Sequence, residues 1–189
     1  VDRYQFLDDV AARGAVAVVG ERTDVQAPLP HVTVPDARAA LAEASAAFYA
    51  YPARDIGLIG ITGTDGKTTT SNFMYQILRA AGLHTGMVST VNAQIGDEVL
   101  DTGFHVTTPE AFDAQRYLRQ MVDGRLTHAI LEMTSIGLAQ QRGARPREFD
   151  IAVVTNITHE HLNDHGTYEA YFDAKALLFE GLHQPFEKA

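Results

Sequence analysis

The sequence contains no cysteine and no tryptophan, and its apolar residues never run on for long. Without cysteine there is no disulfide framework and no thiolate metal site. No stretch approaches the ~20 apolar residues that a membrane-spanning helix needs. Both absences fit a cytoplasmic protein, which is the expected location. Basic residues are also scarce, with 15 Lys and Arg against 24 Asp and Glu and a net charge of −9. A polyphosphate backbone requires a basic surface, so general nucleic-acid binding is excluded as a function class. A mononucleotide is not excluded, because a few cations concentrated at one loop suffice to bind it. The 189 residues hold one full domain, or one domain and part of another.

What is present is a series of short hydrophobic blocks separated by Gly, Pro and Asp. Apolar spacing predicts a helix over 3–13 ended by Gly14, a strand at Ala15–Val19, and a short strand at 31–34. Asp36 is the expected cap of a helix reaching about Tyr49. Tyr51-Pro52-Ala53-Arg54-Asp55 breaks the pattern and marks a boundary. Beyond it, strands are predicted at 56–62, 84–90, 127–133 and 150–155, with a hairpin over 92–101 turning at Gly96-Asp97. Helices are predicted at 67–81, 109–122 and 167–180. The alternation predicts an α/β fold: a parallel sheet flanked by helices, carrying a phosphate-binding loop and preceded by a partial small α/β domain. The expected division is 1–52 and 53–189. The chain opens inside an amphipathic pattern and stops without a closing element, so it reads as part of a longer polypeptide.

Four segments carry candidate chemistry. In Ile59–Thr70 a hydrophobic strand enters a glycine-rich turn, then Lys-Thr, then a helix. Glycines let backbone N–H groups converge on phosphate oxygens, and the helix N-terminus adds a favourable dipole. Gly63, Thr64, Asp65, Gly66, Lys67, Thr68 and Thr69 are therefore candidate contacts to a nucleotide phosphate, with Lys67 on the transferred phosphate and Thr68 on Mg²⁺. The general phosphate-loop pattern would have glycine at position 61, which is Ile here. In Ile130–Ser135, Glu132 ends a predicted strand, where an acid can coordinate Mg²⁺ beside the loop. The polar stretch Thr155–Thr167 contains His159, His161 and His165, and it follows another buried strand toward the same rim. Its histidine spacing matches no zinc pattern, and a surface loop is the plain alternative. Lys175 lies in a predicted helix, where an exposed lysine is the ordinary explanation and a partly buried reactive amine the other.

In this order the segments resemble the Mur ligase family, and the resemblance extends over nearly the whole chain. Within it the likeness is to the UDP-N-acetylmuramoyl-tripeptide synthetases. The family's phosphate loop, Gly-Thr-Asn-Gly-Lys-Thr-Thr, is similar to Gly63–Thr69 and differs at Asp65. Thr107-Thr108-Pro109 looks like the turn that contacts the uridine-linked muramoyl substrate. The family's Glu-Val-Ser-Ser-His-Gly-Leu corresponds to Glu132–Leu138, with Ile136 in place of His, followed by Gln140 and Arg142. Its Asp-His-Leu-Asp-x-His-Gly corresponds to Glu160–Gly166, with Asn163 in place of the second Asp.

The resemblance implies an ATP-dependent amide ligase of peptidoglycan precursor synthesis, acting on a UDP-muramoyl-peptide and an amino acid through an acyl phosphate. It implies Mg²⁺ at two sites, held by Thr68, Glu132, His161 and Lys175, with Lys175 carbamylated by carbon dioxide. Lys67, Lys175 and His161 take catalytic roles, Asn156 joins the ATP contacts, and Thr107, Thr108, Thr134, Gln140 and Arg142 position the muramoyl substrate. It also implies that the opening of the amino-terminal domain and the whole carboxy-terminal domain lie outside this sequence. Related ligases acting on cyanophycin, poly-γ-glutamate or folyl-polyglutamate remain alternatives. So does a nucleotide-binding module without catalysis, in view of Asp65, Ile136 and Asn163.

Overall fold

A computed structural model describes residues 3–89, 92–101, 108–158, 162–183, 186 and 188. The side chains of Asp101 and Leu162 are outside that description. The chain divides into two compact units, residues 1–41 and 42–189. In the first, a 3₁₀ turn (Arg3–Phe6) leads into helix α1 (Leu7–Ala12). Strand β1 (Val18–Gly20) then pairs in parallel with β2 (His31–Thr33), from Val18 opposite His31 to Gly20 opposite Thr33. The strand expected at Ala15–Val19 is thus shifted toward Gly20. Its partner is only three residues long, so the hydrogen-bond ladder exists over 18–20 and not before. Asp36 accepts hydrogen bonds at Oδ1 from the N–H groups of Arg38 (2.8 Å) and Ala39 (2.9 Å). It thereby starts α2 (Ala37–Phe48), which continues into the second unit.

The second unit alternates strand and helix. After a 3₁₀ turn at Pro52–Arg54 come β3 (Gly57–Thr62), α3 (Lys67–Ala80) and β4 (Thr85–Val88). The hairpin β5 (Asn92–Ile95) and β6 (Glu98–Asp101) turns at Gly96, as its Gly-Asp signal predicts. Then follow α4 (Ala111–Asp123), β7 (His128–Glu132), α5 (Ser135–Ala139), β8 (Ile151–Val154), α6 (Leu162–His165) and α7 (Tyr168–Gly181). One six-stranded sheet results, in the order β6-β5-β4-β7-β3-β8. Strands β4, β7, β3 and β8 are parallel, while the hairpin adds two antiparallel strands at one edge.

Helix periodicity decides which side chains enter the core. On α4, Ala111, Ala114, Tyr117, Leu118 and Met121 are buried, the i, i+3, i+4 stripe of a helix with one covered face. On α7 the same arithmetic buries Tyr171, Ala174, Lys175 and Leu178, so Lys175 is on the inner face. Helix α7 lies close against β3: a Cβ on Gly60 would stand 2.8 Å from Leu178 Cδ1 and 2.9 Å from Phe149 Cδ1. Because β3, β7 and β8 are parallel, their carboxyl ends open at one rim of the sheet, where ligands of open α/β sheets bind.

Candidate functional site

The site starts at the end of β3. Gly63 has φ of +147° and Gly66 φ of +79°, values that favour glycine. A Cβ on Gly63 would fall 1.9 Å from Thr155 Oγ1, so this glycine is also required by close approach. The loop is fastened to the segment that leaves β8. Thr64 N donates to Asn156 O (2.8 Å) and Asp65 N to Asn156 Oδ1 (3.1 Å). In return Thr155 Oγ1 (2.6 Å) and Asn156 Nδ2 (3.2 Å) donate to Asp65 O. The Asp65 side chain is left at an exposed position.

Within this frame Lys67 folds back over the loop, and its Nζ donates to Gly63 O (2.9 Å) and Thr64 O (2.7 Å). Thr68 Oγ1 donates to Glu132 Oε2 at 3.1 Å, joining the first turn of α3 to the end of β7. Glu132 is only 1% exposed. A buried carboxylate is costly unless polar or cationic groups face it, so its place at the rim of a phosphate-type loop is informative. Lys175 is equally buried, also 1% exposed; its Nζ donates to Gly63 O at 2.8 Å and lies 4.6 Å from the Tyr171 ring centre. Two ammonium groups therefore meet on one loop carbonyl, concentrating positive charge at the glycine loop. Thr69 is exposed on the first turn of α3.

A second set of residues adjoins the first. Thr108 is buried, and its Oγ1 donates to Glu132 O (3.3 Å), pairs with Thr134 Oγ1 (3.1 Å) and accepts from Thr134 N (3.0 Å). Thr134 caps α5, accepting from Gly137 N at 2.9 Å. Arg142 Nε is 3.3 Å from Glu110 Oε1, and Gln140 is partly buried just after α5. Thr107 and His161 lie outside the described residues. The remaining candidates from Gly63 to Thr68, Asn156, Glu132 and Lys175 thus meet at one place, with Thr108 and Thr134 directly behind Glu132.

Sequence reasoning assigned no individual role to Tyr171, or to Thr155, Ser135 and His165 within the segments it singled out. Tyr171 OH hydrogen-bonds Thr64 Oγ1 at 2.8 Å, and Thr158 N donates to the same Thr64 oxygen at 2.9 Å. Tyr171 stands four residues before Lys175, a spacing that puts both on one helical face and was legible in advance. Among the described residues, which do not include His159 and His161, no group of three His, Cys, Asp or Glu side chains could hold a metal ion. The hydroxyl of Thr68 and carboxylate of Glu132 are hard oxygen donors at hydrogen-bonding separation, a set that fits Mg²⁺. Among the described residues no helix is long and apolar enough to cross a membrane.

A strand, a glycine loop, Lys-Thr at a helix start and an acid on the neighbouring strand define a phosphate-loop nucleotide-binding α/β domain. Residues 61–186 match the family described as the Mur ligase middle domain, and the chain belongs to that family. It is 46% identical over 182 residues to UDP-N-acetylmuramyl-tripeptide synthetase of Deinococcus radiodurans, covering 95% of this chain and 37% of that protein. It is 42% identical over 188 residues to UDP-N-acetylmuramoyl-L-alanyl-D-glutamate–2,6-diaminopimelate ligase of Geobacillus thermodenitrificans, covering 100% of this chain and 38% of that protein. A solved structure of a UDP-N-acetylmuramoyl-L-alanyl-D-glutamate–2,6-diaminopimelate ligase superposes with a TM-score of 0.75 at 30% identity, covering 93% of this chain and 35% of that one. The chain spans little more than a third of the length of these relatives.

Proposed function

We propose that this chain is the ATP-binding core of an enzyme that joins an amino acid to a UDP-muramoyl-peptide, the step its relatives' names describe. The observation that carries the reading is the convergence of Lys67, Thr68, Glu132 and Lys175 on the Gly63–Thr68 loop. In the first step a substrate carboxylate oxygen attacks the γ-phosphorus of ATP, and ADP leaves with the bridging electron pair. The acyl phosphate formed is then attacked at its carbonyl carbon by the amine, which sheds a proton as the amide forms and phosphate departs. Protein groups align the reactants and balance charge; they form no covalent bond.

Lys67 already points into the loop and is suited to balance charge on the transferred phosphoryl group. Thr68 and Glu132 would hold Mg²⁺, which when bound offsets negative charge on the phosphate oxygens. Backbone N–H groups of Thr64 and Asp65 are engaged by Asn156, so Asn156 serves ATP by holding the loop open in this shape. Thr108, Thr134, Gln140 and Arg142 are suited to orient the carboxylate substrate, together with Thr107. A carbamate on Lys175 would replace a cation by an anion beside Gly63, and with His161 it would support a second Mg²⁺. The cytoplasm, where ATP is abundant, is the compartment such a step requires.

The reading is tested by phosphate release from the complete protein with Mg-ATP, UDP-muramoyl-dipeptide and a panel of amino acids. Release that needs both the dipeptide and one amino acid is expected; ATP binding without release for any acceptor would favour the non-catalytic module. Lys67→Ala should slow turnover at least ~100-fold, the scale of losing one transition-state contact. Lys175→Ala should be inactive and partly rescued by a short carboxylic acid, and full activity without rescue would reject the carbamate.

A further inference from the structure

One histidine of the 160–166 motif has no part in the chemistry above. His165 ends α6 and is partly buried. Its Nε2 is 3.0 Å from Ser135 Oγ. Ser135 is 3% exposed and opens α5, next to the cap Thr134 and three positions beyond Glu132. A serine hydroxyl both donates and accepts, so this bond is satisfied in either imidazole tautomer. On another side the His165 ring meets the Tyr171 ring edge-on, with centres 5.5 Å apart and planes at 62°. Tyr171 is fully buried, and its hydroxyl bonds Thr64 in the phosphate loop at 2.8 Å.

One imidazole therefore touches the turn that carries Glu132 and Thr134, and also the tyrosine that anchors the phosphate loop. On the proposed reading Thr134 is suited to the carboxylate substrate and Glu132 to Mg²⁺, while Tyr171 holds the loop that takes the nucleotide. A histidine kept only for solubility would have its Nε2 in water, whereas this one faces a nearly buried hydroxyl. Holding two substrates in register matters most when both are bound, because alignment contributes to the chemical step and not to either binding event alone.

We infer that His165 is a positioning residue that fixes the β7–α5 turn against the phosphate loop, through its hydrogen bond to Ser135 and its edge contact with Tyr171. The inference rests on the two-substrate ligase reading. Steady-state kinetics of the complete protein test it, with Mg-ATP and the carboxylate substrate each varied. His165→Phe keeps a ring against Tyr171 and deletes the nitrogen; Ser135→Ala deletes only the hydroxyl. Each should lower kcat roughly tenfold through misalignment alone. Each should leave both KM values within about twofold, since ground-state binding is not what is lost. His165→Gln, whose amide reaches about as far as Nε2, should recover most of the rate. The double variant should be no slower than either single one, because both remove the same bond.

Wild-type kcat in His165→Phe and Ser135→Ala, a rise in KM alone, or losses that multiply in the double variant would each overturn the role. If His165→Phe fails to fold, Ser135→Ala and its KM-against-kcat split decide the matter alone. The parallel wild-type assay separates the two levels of inference. No wild-type turnover with any acceptor removes the ligase reading and this role with it, whereas normal turnover unaffected by either variant removes this role only.

Discussion

Among the described residues the larger unit buries charge in two places, and they are built differently. Around Glu148, which is fully buried, the protein supplies the partners itself. Arg145 N (2.7 Å) and Gln115 Nε2 (3.0 Å) donate to Oε2, and Arg145 Nη2 (2.8 Å) donates to Oε1. Glu43 on α2 then pairs with Arg145 and with Arg147, the latter at 2.8 Å. Around the phosphate loop, Glu132, Lys67 and Lys175 are directed at the same few backbone and hydroxyl groups. The first cluster is closed and joins chain segments about a hundred residues apart; the second is assembled at the carboxyl ends of β3 and β7. A closed cluster serves the fold, because breaking it strands a buried charge. On the proposed reading the second serves function, because its charges are balanced best with the ligand in place.

The contrast would be broken most sharply by Glu148→Ala. Loss of that carboxylate should cost ~1–3 kcal/mol of stability, read by denaturant unfolding. It leaves the buried donors of Arg145 and Gln115 without their acceptor, while Arg145 keeps Glu43 as its ion-pair partner. An unchanged midpoint would show that the cluster is not closed in the sense argued. Next in size, Glu132→Gln keeps the side-chain shape and its acceptor for Thr68. Turnover of the complete protein should fall ~100-fold, as when one electrostatic contact to the transition state is lost. Stability should move by less than ~1 kcal/mol, because a neutral group is easier to bury than a charge. A large stability loss with intact turnover would reverse the assignment of the two clusters. The smallest effect sharpens the frame around α7. Thr167→Ala removes the oxygen that accepts from Ala170 N at 3.1 Å. It should cost ~1 kcal/mol in a thermal melt, the usual value of a helix cap. Turnover should stay near wild type, and a tenfold loss would mean that α7 must be held more rigidly than its cap alone implies.

Much of this arrangement was legible beforehand, and for identifiable reasons. The Gly63–Thr70 run announces its own turn, since glycine at those backbone angles and Lys-Thr at a helix start are local requirements. The hairpin at Gly96-Asp97 and the cap at Asp36 are local in the same way. Strand ends were less legible: β1 was misplaced because its length depends on a short partner that no local pattern specifies. The Glu148 cluster was not anticipated, because Glu43 and Gln115 are far in sequence from Arg145 and Glu148, and all four individually look like surface residues.

Lys175 shows the division most clearly. From composition it is an exposed lysine, and only its resemblance to a motif position argued otherwise. The helical stripe of Tyr171, Ala174, Lys175 and Leu178 is written in the sequence, but which face of α7 meets β3 is not. By itself the sequence determined where the longer helices, most strands and the phosphate loop form, because those depend on neighbours a few residues away. Tertiary structure alone decided that Lys175, Glu132 and Lys67 share one loop and that His165 reaches Ser135 and Tyr171. Those contacts depend on the order and parallel direction of β7, β3 and β8, which bring segments from across the chain to a single rim.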